Sequence, residues 1–188
     1  MRYKYSNTGY AVLAAIVERV SGKPFHQFME EHIFSPLGMN STFVYNSRNK
    51  KTIEYETNGY TKKKRKTYHD YLDGVVGDKG IYSTVDDLFL WDQELYSGTL
   101  IKQSTLDEAF TPMSYDYRRN NMYGFGWRID TTNDGSKVVY HGGWWRGYNS
   151  LFLRRLDDHT TIIILCNWVN WSWGENEDLM NIIDSTMF

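Results

Sequence analysis

The sequence predicts an α+β fold in which helices come first and an antiparallel sheet follows. Two observations carry this reading. Apolar residues recur at helical spacing within residues 1–112, and beyond Pro112 the period drops to two. The period-two segments are separated by short turns with no helix between them, which is not the alternating pattern of a parallel sheet.

The first helix is marked by Tyr10, Leu13, Ala14, Val17 and Val20, with Asn7 or Thr8 as its cap and Gly22 as its stop. Pro24 suits the first turn of a second helix, Phe25 to Ile33, which the segment from Ser35 to Met39 ends. Residues 46–73 are polar and punctuated by tyrosines, and read as an irregular excursion or short strands. Gly74, Gly77 and Gly80 lead into a helix from Thr84 to about Tyr96, closed by Gly98, with Thr84 and Asp87 as a capping box. Ser104 and Asp107 repeat that signature for a short helix ending near Phe110. Strands are then expected at Tyr123–Asp130, Lys137–His141, Tyr148–Arg154 and Thr160–Cys166. The unbroken β-branched run from Thr161 to Leu165 predicts a central strand, and Asp157-Asp158 a tight turn before it. A closing helix is expected at Glu175–Met187.

Composition narrows the function. The chain has 188 residues, enough for one domain with a core, and a net charge of −2 from 21 basic and 23 acidic side chains. That balance argues against nucleic acid as the partner, because phosphate binding needs a basic field. No window is apolar and uncharged over the ~20 residues a membrane span requires. A single cysteine, Cys166, excludes an internal disulfide and a cysteine-rich zinc site, and the scattered histidines suggest no metal. The run Lys62-Lys63-Lys64-Arg65-Lys66 reads as a solvated loop or hairpin, a nucleic-acid or acidic-partner patch being the sharper alternative. Aromatic residues make up 16% of the chain, from a ring-rich core and surface or from a cleft lined with rings.

Three constellations can carry chemistry. In Tyr5-Ser6-Asn7 a tyrosine hydroxyl can relay a proton, and the asparagine can hold a substrate amide; the plainer reading is a helix cap. In His141-Gly142-Gly143-Trp144 paired glycines after a strand allow close approach of a ligand. The Trp144 N–H can then face an oxyanion, and His141 can donate to a carboxylate or a proton relay. The plainer reading is a glycine turn beside a histidine. Trp145 and Tyr148 would wall an apolar pocket there, or pack under the sheet. In Gly77-Asp78-Lys79-Gly80 glycines precede a helix, but the phosphate-loop spacing is absent, so nucleotide binding is rejected. The His-Gly-Gly segment also looks like the oxyanion strand of lipase-type hydrolases. That reading fails because no G-x-S-x-G elbow exists in the chain.

Taken in order, Tyr5-Ser6-Asn7-Thr8-Gly9-Tyr10, Ile33 to Met39, Gly77 to Leu88 with Trp91, Tyr123-Gly124-Phe125-Gly126-Trp127 and His141-Gly142-Gly143 through Gly147 resemble one family. It is the serine β-lactamase and penicillin-binding-protein-like family, in its class C β-lactamase, DD-peptidase and esterase branch. The resemblance implies a β-lactamase/transpeptidase-like fold and acyl transfer through an acyl-enzyme on β-lactams, D-Ala peptides or small esters, without metal or cofactor. It implies that Tyr5 shares acid–base work, that Asn7 positions substrate, that His141 to Gly143 form the substrate strand, and that Trp144 supplies one oxyanion N–H. The nucleophile of this family is the serine of an S-x-x-K motif on a helix upstream of Y-x-N. Ser47-Arg48-Asn49-Lys50 matches that spelling, but it lies downstream in a polar stretch and reads as a chance match.

The expectation is therefore a single partial domain over 1–188. Residues 1–112 are its mainly helical portion, and residues 113–188 its sheet with a C-terminal helix. The first strands and the nucleophile helix are missing, and no nucleophile is assigned in this chain. Such a chain would be inactive alone, would take a small-molecule or peptidoglycan-like peptide substrate once completed, and would self-associate through an open sheet edge. Met1-Arg2-Tyr3-Lys4 begins no signal peptide, while the resemblance implies a periplasmic or extracellular full-length protein. The alternative function is a non-catalytic binding or pseudoenzyme module of the same fold.

Overall fold

The computed structural model describes residues 3–45, 57–117 and 121–169. The expected helix Glu175–Met187 and the Ser47–Lys50 match lie outside the described residues. Two compact units divide the chain: the described residues among 5–57 and 68–100 form one, and those among 1–4, 58–67 and 101–188 the other.

The first unit is mainly helical. Helix α1 (Asn7–Ser21) is capped by neither expected residue. Ser6 takes the extended N-cap position and its hydroxyl accepts the Gly9 N–H at 3.1 Å, so Asn7 becomes the first helical residue. Gly22 ends the helix in the left-handed region, as expected, at φ 71°. Helix α2 (Phe25–Met29) continues through a wide π turn, Glu30–Phe34, into α3 (Ser35–Leu37), and Gly38 stops the run at φ 72°. The expected single helix is thus longer and irregular. At 3.6 residues per turn Phe34 would lie about half a turn away from Phe25. The wider turn swings it back, and both rings are buried with Ala14, Met39 and Val44.

Two short strands, β1 (Phe43–Val44) and β2 (Ile81–Tyr82), pair antiparallel in the same unit. Helix α4 (Val85–Ser97) has the expected boundaries, with Thr84 accepting the Asp87 N–H at 3.2 Å and Gly98 at φ 67°. The reciprocal half of the capping box is replaced. The Asp87 carboxylate accepts instead from the Ser41 N–H at 2.8 Å and the Thr42 hydroxyl at 2.7 Å, tying the turn before β1 to the helix.

The second unit holds α5 (Gln103–Ala109) and a six-stranded antiparallel meander. Ser104 does not cap α5: Lys102 stands at the N-cap with no side-chain bond, and Gln103 donates to Asp107 at 2.9 Å. The strands are β3 (Ser114–Asp116), β4 (Asn121–Tyr123), β5 (Arg128–Thr131), β6 (Lys137–Trp145), β7 (Tyr148–Arg155) and β8 (Thr160–Cys166), paired in chain order. Three expectations are corrected. The segment Tyr123–Asp130 is two strands, because Gly124 to Trp127 turn tightly between them, closed by a Gly124 N–H to Trp127 carbonyl bond of 2.8 Å. Strand β6 runs on to Trp145 rather than stopping at His141. And among the described residues the apolar run is the last strand of the sheet, paired only with β7, rather than a central one. One face of β6–β8 packs Val138, Leu151 and Leu153 with Tyr140, Ile162 and Ile164.

The basic run forms the tip of a hairpin beside this sheet. Tyr60 bridges to Lys66, Thr61 N–H donates to the Arg65 carbonyl at 2.9 Å, and the five cationic side chains are exposed. No helix among the described residues is long and apolar enough to cross a membrane.

Candidate functional site

Strand β6 carries His141, Gly142, Gly143, Trp144 and Trp145, and Tyr148 opens β7. The paired glycines are not a turn. They lie inside the ladder, Gly142 opposite Leu151 and Gly143 opposite Ser150. A Cβ on Gly143 would stand 2.5 Å from the Ser150 hydroxyl, which would have to turn away to make room. The turn comes three residues later, where Arg146 (φ 42°) and Gly147 (φ 90°) form a two-residue hairpin loop.

That loop sets the direction of every backbone group in the site. A two-residue loop makes Trp145 and Tyr148 a hydrogen-bonded closing pair, and such pairs alternate along an antiparallel ladder. Residues 145, 143, 141, 139 and 137 therefore bond toward β7, and the Leu156 N–H donating to the Lys137 carbonyl at 3.1 Å fits that parity. Residues 144 and 142 face the other way. On that side the β5 ladder ends at the Arg128–Tyr140 pair, so the Trp144 N–H points out past the end of β5. The Trp144 ring is 64% exposed, while Trp145 and Tyr148 are half-buried and the Arg146 guanidinium stands 5.7 Å over the Trp145 ring.

His141 is half-buried and lies opposite Phe152. Its Nε2 is 3.1 Å from the hydroxyl of Tyr123 on β4, with the two rings edge to face. In the sequence Tyr123 stands out only as the first residue of a motif; a hydrogen bond across 18 positions leaves no mark in spacing.

Tyr5 and Asn7 belong to the helical unit. Tyr5 is 44% exposed, just before α1, with its ring 6.0 Å from that of Tyr10, and Asn7 is exposed in the first turn. The third constellation has a packing explanation. Gly77, at φ 98°, lies against α1 so closely that a Cβ would be 2.5 Å from the Tyr10 carbonyl. Asp78 and Lys79 form an ion pair of 2.6 Å with both side chains largely buried. Among the described residues no group of three acidic, His or Cys side chains could hold a metal ion.

Helices leading into an antiparallel meander with a His-x-Gly strand define a protein of the β-lactamase and transpeptidase fold. The chain belongs to the Beta-lactamase family, whose model matches residues 1–186. It is 35% identical over 178 residues to penicillin-binding protein 4* of Bacillus subtilis, covering 88% of this chain and 40% of that protein. It is 24% identical to a D-aminopeptidase of Brucella ovis, covering 88% of this chain and 32% of the relative. Among solved structures, the octameric penicillin-binding protein homologue from Pyrococcus abyssi superposes with a TM-score of 0.84 at 23% identity, over all of this chain and 43% of the other. The D-amino acid amidase from Ochrobactrum anthropi, complexed with D-phenylalanine, gives 0.77 at 25% identity, over 97% of this chain and 61% of that one. The chain thus spans less than half the length of the curated relatives it matches.

Proposed function

We propose that this chain supplies the substrate-strand side of a serine acyl-transfer site acting on β-lactams, D-Ala peptides or small esters. In this reading the Trp144 N–H is an oxyanion donor, Gly142 and Gly143 admit the substrate backbone along β6, His141 donates to the substrate or its leaving group, and Tyr5 and Asn7 are the acid–base and amide-holding pair. The single observation that carries it is the outward Trp144 N–H, beyond the end of the β5 ladder and directly after His141-Gly142-Gly143. The Ser-x-x-Lys pair comes from chain outside these residues, and the 188 residues alone are inactive. Strand β8, paired on one side among the described residues, is where further strands add, and in the isolated chain it promotes self-association.

The test is complementation. The chain alone should turn over neither nitrocefin nor p-nitrophenyl esters. Adding the Ser-x-x-Lys-bearing segment of a relative should restore hydrolysis, which Tyr5→Phe then lowers by roughly 10²-fold or more. Turnover by the chain alone that survives Ser47→Ala overturns the inactivity. A complemented protein that binds a D-amino acid amide but never hydrolyses any of these substrates makes it a binding module. A monomer in sedimentation at all concentrations removes the edge-pairing claim.

A further inference from the structure

We propose that Tyr123 is a positioning residue for His141, and that the segment Tyr123-Gly124-Phe125-Gly126-Trp127 serves to hold its hydroxyl on the imidazole. This rests on the role given to His141 above. The contact itself is the 3.1 Å approach of the Tyr123 hydroxyl to Nε2. A phenol both donates and accepts, so it can hold a neutral imidazole in one tautomer by donating to Nε2, or accept from an Nε2–H. Either way one ring nitrogen is committed and the ring plane is fixed, which a relay or donor at the site requires.

Tyr123 is held on several sides. It is buried, with 7% of its surface exposed. The Tyr3 ring lies 5.1 Å away, and the Arg128 guanidinium stands 5.6 Å over the Tyr123 ring. Arg128 is itself buried and paired with buried Asp116 at 3.3 Å. The Tyr123 carbonyl accepts the Met113 N–H at 3.0 Å.

The glycines that follow lock the turn. A Cβ on Gly124 would collide with the Ala109 carbonyl at the end of α5, the same carbonyl that accepts the Phe125 N–H at 3.0 Å. Gly126 stands at φ 81°. Trp127 then packs on Phe110 at 5.5 Å and on Phe152 at 5.8 Å, and Phe152 is the cross-strand partner of His141. The segment thus reaches the histidine twice, by a hydroxyl at its start and by packing on Phe152 at its end.

The test is the tautomer state of His141, read from imidazole ¹⁵N shifts in histidine-labelled full chain, wild type against Tyr123→Phe. Losing the bond should move the tautomer ratio toward that of free imidazole by roughly 2- to 10-fold. Tyr3→Phe, which keeps the ring stack, should leave it unchanged. An unchanged ratio in Tyr123→Phe with an intact amide fingerprint overturns the proposal. Should that variant fail to fold, the wild type decides. A protected Tyr123 hydroxyl or His141 Nε2 proton with a cross-peak to the other ring supports the proposal, and the absence of both sinks it. No substrate enters this readout, so it fails or stands separately from the acyl-transfer reading.

Discussion

The two ends of strand β6 are built by different physics. At the far end, the loop from Thr132 to Ser136 is stitched by polar side chains. Thr132 and the Ser136 N–H donate to the Asp134 carboxylate, and the Arg155 guanidinium binds both Asp134 and the Ser136 hydroxyl. The Lys137 N–H reaches Asp157 at 3.3 Å. At the site end, the Arg146–Gly147 turn is held by backbone and sterics. The Thr67 hydroxyl donates to the Arg146 carbonyl at 2.6 Å, and Gly59 and Gly147 face Arg146 and Tyr60 with no room for a Cβ. Tyr60 in turn pairs with the chain beyond β8, bonding the Asn167 carbonyl at 2.8 Å and the Val169 N–H at 3.0 Å. These contacts at the strand end that carries Trp144 are thus backbone and hydroxyl ones, and those at the distal end centre on a carboxylate and a guanidinium.

A matched pair of glycines can break this comparison. Gly135 and Gly147 both stand at φ 90°, but a Cβ on Gly135 meets nothing within 4 Å while one on Gly147 would overlap Tyr60 and Gly59. Gly135→Ala should cost about 1–2 kcal/mol from the left-handed backbone alone. Gly147→Ala adds overpacking of about 1–3 kcal/mol more, because backbone must move. Denaturant midpoints of the two variants measure the difference, and equal losses would mean that the site-end turn is not sterically clamped. Thr67→Val sits level with Gly135→Ala and below Gly147→Ala. It removes the donor to the Arg146 carbonyl and should cost about 1–2 kcal/mol, read in the same titration. A change of a few tenths would assign the clamp to the glycines alone.

Much of the fold was legible because helix boundaries have chemical punctuation. Gly22, Thr84 and Gly98 stand where capping and left-handed stops require them. The failures share a cause: sequence reports burial and backbone permissiveness, not hydrogen-bond partners. The run from Thr160 to Cys166 is apolar because its faces pack, and that says nothing about whether both edges are paired. Gly142 and Gly143 left a turn and a strand both open, because glycine is permissive of either, and the pairing with Leu151 and Ser150 decides for the strand. The wide turn at Glu30–Phe34 inserts a residue that no local propensity marks. At the proposed site, the strand that runs into His141 could be read from its alternating pattern. The Tyr123 hydroxyl could not, since only β4–β5–β6 pairing brings it there.

The smallest expected effect concerns the distal end and is the one with a pH signature. Hydrogen bonds from Thr132 and Ser136, with the Arg155 charge behind them, hold the exposed Asp134 carboxyl down to about 2. A carboxyl whose folded value is depressed contributes stability above its unfolded value of about 4 and loses it as pH falls through the folded value. Asp134→Asn should therefore lower the thermal midpoint slightly at neutral pH. The gap to wild type should begin to close below about pH 4 and vanish only below about pH 2. Exposure and salt screening keep the neutral-pH gap small, so it should shrink further in 1 M salt. The Gly147→Ala loss, being steric, should keep its size across the same range. A Gly147→Ala loss that also closed toward pH 2 would mean that both ends of β6 answer to the same titrating groups.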